Sequence, residues 1–173
     1  MLTGKIVQLR TVRSEDWPML YELSAEYANW EERRPEPLQP LTREAFDERM
    51  AKTREDPKHV TFAVTVEDEP IGTCSLFQED TLARHAELGI ALRLGVAGKG
   101  YGTDALRVLV EYAFTRRNLR RVHLIVVASN ERAIASYRKV GFVEEGRRRE
   151  HCWVRGAYVD EVIMGLLRSE WSS

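Results

Sequence analysis

The chain has 173 residues, 43% of them hydrophobic and 31% charged, which fits one globular domain with a sizeable core and argues against long disorder. A formal net charge of −1 gives no general electrostatic drive toward nucleic acid or an anionic membrane. No apolar run approaches the roughly 18 residues that span a bilayer, and Met1 to Arg10 lacks the apolar core of an export signal.

Ile6 to Arg10 reads as a first strand. Ser14, Glu15 and Asp16 predict a helix start, with a cap and negative charge in the first turn. Trp17, Leu20, Leu23 and Tyr27 give that helix an apolar side. Trp30, Glu31 and Glu32 lead into a loop with Pro35, Pro37 and Pro40, too many prolines for a continuous helix. Thr42 can cap a second helix, with Leu41 and Phe46 at hydrophobic-staple spacing and Met50 continuing the buried side. Two helices joined by a kinked, charged loop suit one wall of a cleft; a solvated connection has the same composition.

Val60 to Val66 alternates strictly and predicts a strand with one buried face. Glu67 to Pro70 is a turn, and Ile71 to Phe77 returns as the second arm of an antiparallel hairpin. His85 to Leu92 continues the meander. Its Ala86, Leu88, Ile90 and Leu92 suit the core, whereas His85, Glu87, Gly89 and Ala91 set two ionisable groups beside two small ones. A cleft needs such a face, and a solvent-facing strand also shows it.

In Ala97 to Thr103, AGKGYGT, glycine occupies alternate positions, and a helical spacing follows at Leu106, Leu109, Val110, Ala113 and Phe114. Strand, glycine loop and helix together present free N–H groups to an anion, usually a phosphate. Arg116, Arg117, Arg120 and Arg121 read as complements to the helix dipole. Val122 to Val127 is nearly continuous apolar sequence, as in a strand covered on both faces. Ser129 and Asn130 are caps for a helix carrying Ala133, Ile134, Tyr137 and Val140, which Gly141 ends. Phe142 begins a strand, Gly156 makes a turn, and Ala157 to Leu167 closes the chain. The predicted order is a mixed α/β (α+β) single domain over residues 1–173, with an exposed sheet edge able to pair two copies into a homodimer.

Common phosphate motifs fail. A Walker A loop needs Ser or Thr after Gly-Lys, but Gly100 follows Lys99; the dinucleotide motif needs glycine where Thr103 stands. No G-x-S-x-G elbow occurs. His59, His85, His123 and His151 have no ligand spacing to one another or to a cysteine, so no metal site is expected. Cys74 and Cys152 form no C-x-x-C pair and suit a reducing cytoplasm.

Two blocks carry a resemblance to the GNAT acyltransferase superfamily, in particular its ribosomal-protein alanine and spermidine acetyltransferases. One is Leu88 to Ala105, with GKGYGT; the other is Val126 to Phe142, VVASNERAIASYRKVGF. The closing Gly156 to Trp171 is also similar. In one departure, Gly95 stands where the family pattern has Gln or Arg. That weakens one contact and leaves the backbone donors in place.

The resemblance implies a GNAT fold, a mixed, mostly antiparallel twisted sheet of seven strands flanked by four helices. It also implies acetyl transfer from acetyl-CoA by direct attack in a ternary complex. Backbone N–H groups of Gly98, Lys99, Gly100, Tyr101, Gly102 and Thr103 would hold the pyrophosphate. A bulge that splays the strand would free N–H groups near Leu92 and Leu94 for the thioester carbonyl. Asn130 would contact the pantetheine arm, and Tyr137 would protonate the leaving thiolate. An alkylamine has a pKa of about 10 and must lose a proton before it attacks, so Glu87, or less directly His85, is the expected base. Trp30, Glu31, Glu32 and His85 are expected on the acceptor side. The acceptor is a protein N-terminus, a polyamine or a small-molecule amine. Plainer roles stay open: Tyr137 as a packed aromatic, Glu87 as an ion-pair partner, Asn130 as a helix cap. The rival reading of the whole chain is a non-catalytic acyl-CoA-binding sensor.

Overall fold

A computed structural model describes residues 1–27 and 39–172. The strands are β1 (Leu2–Thr3), β2 (Gln8–Thr11), β3 (Val60–Val66), β4 (Glu69–Asp80), β5 (His85–Leu92), β6 (Arg121–Val127), β7 (Val143–Val154) and β8 (Ala157–Leu167). The helices are α1 (Trp17–Ala25), α2 (Arg43–Glu55), α3 (Tyr101–Thr115) and α4 (Glu131–Val140). The predicted order holds, with the two-residue β1 as an addition.

One sheet runs β1-β2-β3-β4-β5-β6-β8-β7. Every neighbouring pair is antiparallel except β5 and β6, which run parallel with α3 as the crossover between them. The period of two along β5 and β6 sends Ala86, Leu88, Val122, Leu124 and Val126 to one face. There they pack with the Leu106, Leu109, Val110, Ala113 and Phe114 stripe of α3. Burying each Leu or Phe stabilises the fold by about 1.5–3 kcal/mol. On the other face α1 and α2 form a second cluster around Leu20, Leu23 and Phe46, and Trp17 and Tyr21 meet the Phe46 ring edge-on at 6.3 and 5.6 Å.

Local signals are realised unevenly. Thr42 caps α2, its Oγ1 accepting the Ala45 N–H at 3.2 Å, and Leu41 packs in the Phe46 cluster. Ser14, by contrast, caps nothing and lies inside a 3-10 turn, Ser14–Asp16. Asp16 points inward, only 2% exposed, and accepts the Arg13 N–H at 2.8 Å and the Arg10 guanidinium at 2.7 and 2.9 Å. A buried cation drew this carboxylate more strongly than a helix dipole would. Tyr27, expected on the apolar side, is 48% exposed.

Two of the four arginines after α3 are partners of specific carboxylates: Arg117 bonds Glu79 at 2.6 Å, and Arg121, already in β6, pairs with both oxygens of Glu145, whereas Arg120 donates to the Ala83 carbonyl at 3.1 Å. The second face of β6 is only partly covered, since Ile125 is 37% exposed; the α1 and α2 cluster reaches Ala91 of β5. The pairing of the edge strand β7 with β8 carries two register shifts, between Glu144 and Gly146 and between Arg148 and Cys152. Among the described residues no helix is long and apolar enough to cross a membrane.

Candidate active site

Parallel pairing of β5 and β6 covers only His85 with Arg121, Ala86 with Val122, and Glu87 with His123. Beyond that level β5 stays paired with β4 through Leu92 opposite Gly72, while β6 stays with β8 through Val127 opposite Glu161. The two strands therefore part, leaving a wedge between Leu88–Leu92 and Leu124–Val127. No bulge in Leu88–Leu92 causes it; the register shift between β4 and β5 lies lower, at Phe77 and Asp80. This corrects the expected cause of the splay.

The wedge exposes one row of β5 backbone. The Arg93 N–H donates to the Ile71 carbonyl of the β4 side at 2.9 Å. N–H direction alternates along a strand, so the N–H groups of Leu92 and Ile90 point the other way, into the wedge. Leu94 lies past the strand end with its side chain 57% exposed. Gly72 holds the β4 side of this row close: a Cβ there would overlap the Ala91 carbonyl oxygen and lie 2.7 Å from Leu92 Cα.

The glycine loop follows at once. Gly95, Gly98 and Gly100 take φ of 84°, 80° and 83°, a region that costs other residues strain. A Cβ at Gly95 or Gly98 would meet nothing within 4 Å among the described residues, so these positions are glycine for backbone angle and not for lack of space. Gln or Arg at position 95 would carry that strain in this loop. Gly100 is the left-handed N-cap of α3, and Asp104 N–H closes on Gly100 O at 3.0 Å. The N–H groups of Tyr101, Gly102 and Thr103 thus precede the first closed turn and are available to an anion. Lys99 is exposed beside them. These donors fit a pyrophosphate.

On the face opposite α3 lies a cleft of about 230 Å³. Leu20, Leu23 and Ser24 of α1 and Phe46, Arg49 and Met50 of α2 form its wall; His59, Thr61, Thr73 and Ser75 supply its floor. The helices thus make the wall expected of them. Trp30, Glu31 and Glu32, with Pro35 and Pro37, lie outside the described residues.

His85 and Glu87 share this face and are partly buried, with Glu87 opposite Phe77 on β4 and His123 on β6. The small residues after them are not an open floor. A Cβ on Gly89 would lie 3.0 Å from Phe77 Cε1, so the Phe77 ring covers Gly89, and the His59 ring stacks on Phe77 at 5.7 Å. Ala91 packs into the α1–α2 cluster. Sequence reasoning passed over Phe77 and His123; register across strands identifies both.

Tyr137 lies on the inner side of α4, 7% exposed, in the main core beside Phe142 at 6.0 Å between ring centroids. Asn130 is the N-cap of α4, its Oδ1 accepting the Ala133 N–H at 3.1 Å. The cap leaves its amide N–H groups for another partner. Among the described residues no group of three or more His, Cys, Asp and Glu side chains could hold a metal ion.

A parted strand pair, a left-handed glycine loop and a helix start without a side-chain cap present free backbone donors to a phosphorylated ligand. The chain belongs to the acetyltransferase (GNAT) domain family, whose model matches residues 7–143. It is an N-acetyltransferase with acetyl-CoA as its donor. It is 29% identical to spermidine N(1)-acetyltransferase of Escherichia coli K12, over 99% of this chain and 91% of that protein. Putative ribosomal N-acetyltransferase YdaF of Bacillus subtilis is 38% identical over 100 residues, which are 58% of this chain and 55% of that protein. The structure of Vibrio cholerae spermidine N-acetyltransferase with CoA and spermine superposes with a TM-score of 0.88 at 26% identity, covering 96% of this chain and 98% of that one.

Proposed function

We propose that the chain acetylates a primary amine by direct attack on acetyl-CoA, with the thioester held in the wedge between β5 and β6. The observation that carries this is the end of β5–β6 pairing at Glu87 and His123, followed directly by the glycine loop. In this reading the N–H groups of Tyr101 to Thr103 hold the pyrophosphate, with Gly98, Lys99, Gly100 and Gly102 letting it approach. The Leu92 N–H meets the carbonyl oxygen where negative charge builds, a contact whose loss typically costs about 10²–10³-fold in kcat. Glu87 removes the proton of the acceptor ammonium, and Tyr137 protonates the CoA thiolate as it leaves. The net products are the acetamide, CoA and one proton. Neither cysteine serves as nucleophile: both are buried, and burial pushes both thiols up in pKa.

The inferred acceptor is a polyamine. The full-length likeness to spermidine acetyltransferases, one solved with CoA and spermine, supports it. A peptide N-terminus is the second reading, because the described lining of the cleft includes Arg49 and His59 but no carboxylate to attract a polycation. We also infer a cytoplasmic setting, which two unbonded cysteines suit. The test is calorimetry with acetyl-CoA followed by CoA-release assays on spermidine, spermine and peptides with free N-termini. Turnover on spermidine favours the first reading, and turnover on peptides alone favours the second. Binding without turnover on any amine would leave a sensor.

A further inference from the structure

Residues 4–7, which join β1 to β2, are pinned to the first turn of α3. Asp104 Oδ2 accepts the N–H groups of both Ile6 and Val7, at 2.7 and 3.0 Å, and the Gly4 N–H closes on the Val7 carbonyl at 2.8 Å. A Cβ on Gly4 would lie 2.5 Å from Asp104 Oδ2 and 2.9 Å from Val108 Cγ2, so the backbone of this loop rests directly on the helix. Ile6 Cδ1 is 3.5 Å from where a Cβ of Gly100, the N-cap of α3, would stand. Register places both segments at one end of the sheet: Gln8 is opposite Thr65, Thr65 is opposite Pro70, and Gly72 is opposite Leu92, which leads into the glycine loop. The N-terminal loop is thus fixed beside a helix start far from it in sequence.

Lys5 sits at the bend of that loop, exposed, and makes no ion pair among the described residues. Lys99, next to the N-cap Gly100, is likewise exposed and without an ion pair among the described residues. The electrostatics of the helix start call for such cations. Asp104 already places a carboxylate in the first turn, and a second anion arriving there is repelled by it. The backbone N–H groups of Tyr101 to Thr103 offer hydrogen bonds but no full positive charge. Acetyl-CoA carries a pyrophosphate and a ribose 3′-phosphate.

We propose that the Lys5 ammonium binds a phosphate group of the CoA donor, joining Lys99 as the second cation at the start of α3. Lysine suits this role as a compact charge on a flexible stem that can reach a phosphate from a neighbouring segment. Because Asp104 already fixes the loop backbone, binding orders only the lysine stem, which keeps the entropic cost small. The proposal rests on the reading that the glycine loop and helix start hold the CoA phosphates.

The test is calorimetry of CoA binding to the wild type, Lys5→Gln and Lys5→Arg at low and moderate salt. Lys5→Gln should weaken CoA binding about three- to tenfold at low salt and lose affinity less steeply as salt rises. Lys5→Arg, which keeps the charge, should restore most of that affinity. With dephospho-CoA, a loss that persists in Lys5→Gln assigns the contact to the pyrophosphate, and a loss that vanishes assigns it to the 3′-phosphate. A second measurement needs no variant: saturating CoA should protect the Lys5 amine of the wild type from reductive methylation, read by mass spectrometry. Affinity and salt dependence of Lys5→Gln equal to wild type would overturn the proposal, as would protection of Lys99 without protection of Lys5. Protection of neither lysine, or no binding of CoA by the wild type, would overturn instead the reading beneath it.

Discussion

Asp104 Oδ2 accepts the backbone N–H of Ile6 at 2.7 Å, and the same oxygen accepts that of Val7 at 3.0 Å. The carboxylate is 5% exposed, in the first turn of α3 just past the glycine loop. It fastens the approach to β2 onto the start of the helix that follows the glycine loop. Asp104→Ala strands one buried and one part-buried donor and should cost about 1–3 kcal/mol. Urea unfolding measures that cost, and calorimetry should show weaker acetyl-CoA binding as the helix start loosens. Unchanged stability would mean that the two N–H groups find other partners.

Gly72→Ala should be among the most damaging small substitutions. Its Cβ has no room against the Ala91 carbonyl and Leu92 Cα, so the β4–β5 backbone must move. Overpacking of this kind costs about 3 kcal/mol, readable as a lower midpoint in denaturant. It also displaces the Leu92 N–H, so kcat should fall in molecules that remain folded.

Tyr137→Phe keeps the ring that packs beside Phe142 and removes only the phenol oxygen. The expected result is a loss of about 10²-fold or more in kcat with acetyl-CoA affinity nearly retained. Steady-state turnover equal to wild type would remove Tyr137 as the acid. Glu87→Gln should shift the pH–rate profile toward higher pH, where more of the amine is already neutral.

Acid should destabilise the fold through Asp16. Its hydrogen bond to Arg10 holds its pKa below the usual carboxylate value, against the opposing effect of burial. A depressed folded-state pKa means the stabilisation is complete above the unfolded value of about 3.9 and is lost as pH falls through the folded one. The melting temperature should therefore drop below about pH 4. Asp16→Asn should flatten part of that drop and, by leaving Arg10 with a weaker partner in a buried setting, cost about 3 kcal/mol at neutral pH. Identical acid profiles for wild type and variant would assign the acid transition to other carboxylates.

Much of the fold was legible because its signals are local. The alternation of Val60 to Val66, the His85–Leu92 strand, the Thr42 and Asn130 caps and the glycine that ends α4 each depend on residues within a few positions. Ser14 misled as a cap for the same reason: a helix does start at Ser14–Asp16, but Arg13 is its N-cap and Arg10, close in space, claims the Asp16 carboxylate. The face of β5 was legible as two ionisable residues followed by two small ones. Its occupant was not, since Phe77 reaches Gly89 only through β4–β5 register.

By itself the sequence determined a strand, a glycine loop and a helix start, because these follow from neighbouring residues. Tertiary structure alone decided where β5 and β6 part, that Glu87 faces His123 there, and that Asp104 holds Ile6. These depend on register between strands distant in the chain, and a slip of one residue would turn every side chain of β6 to the opposite face.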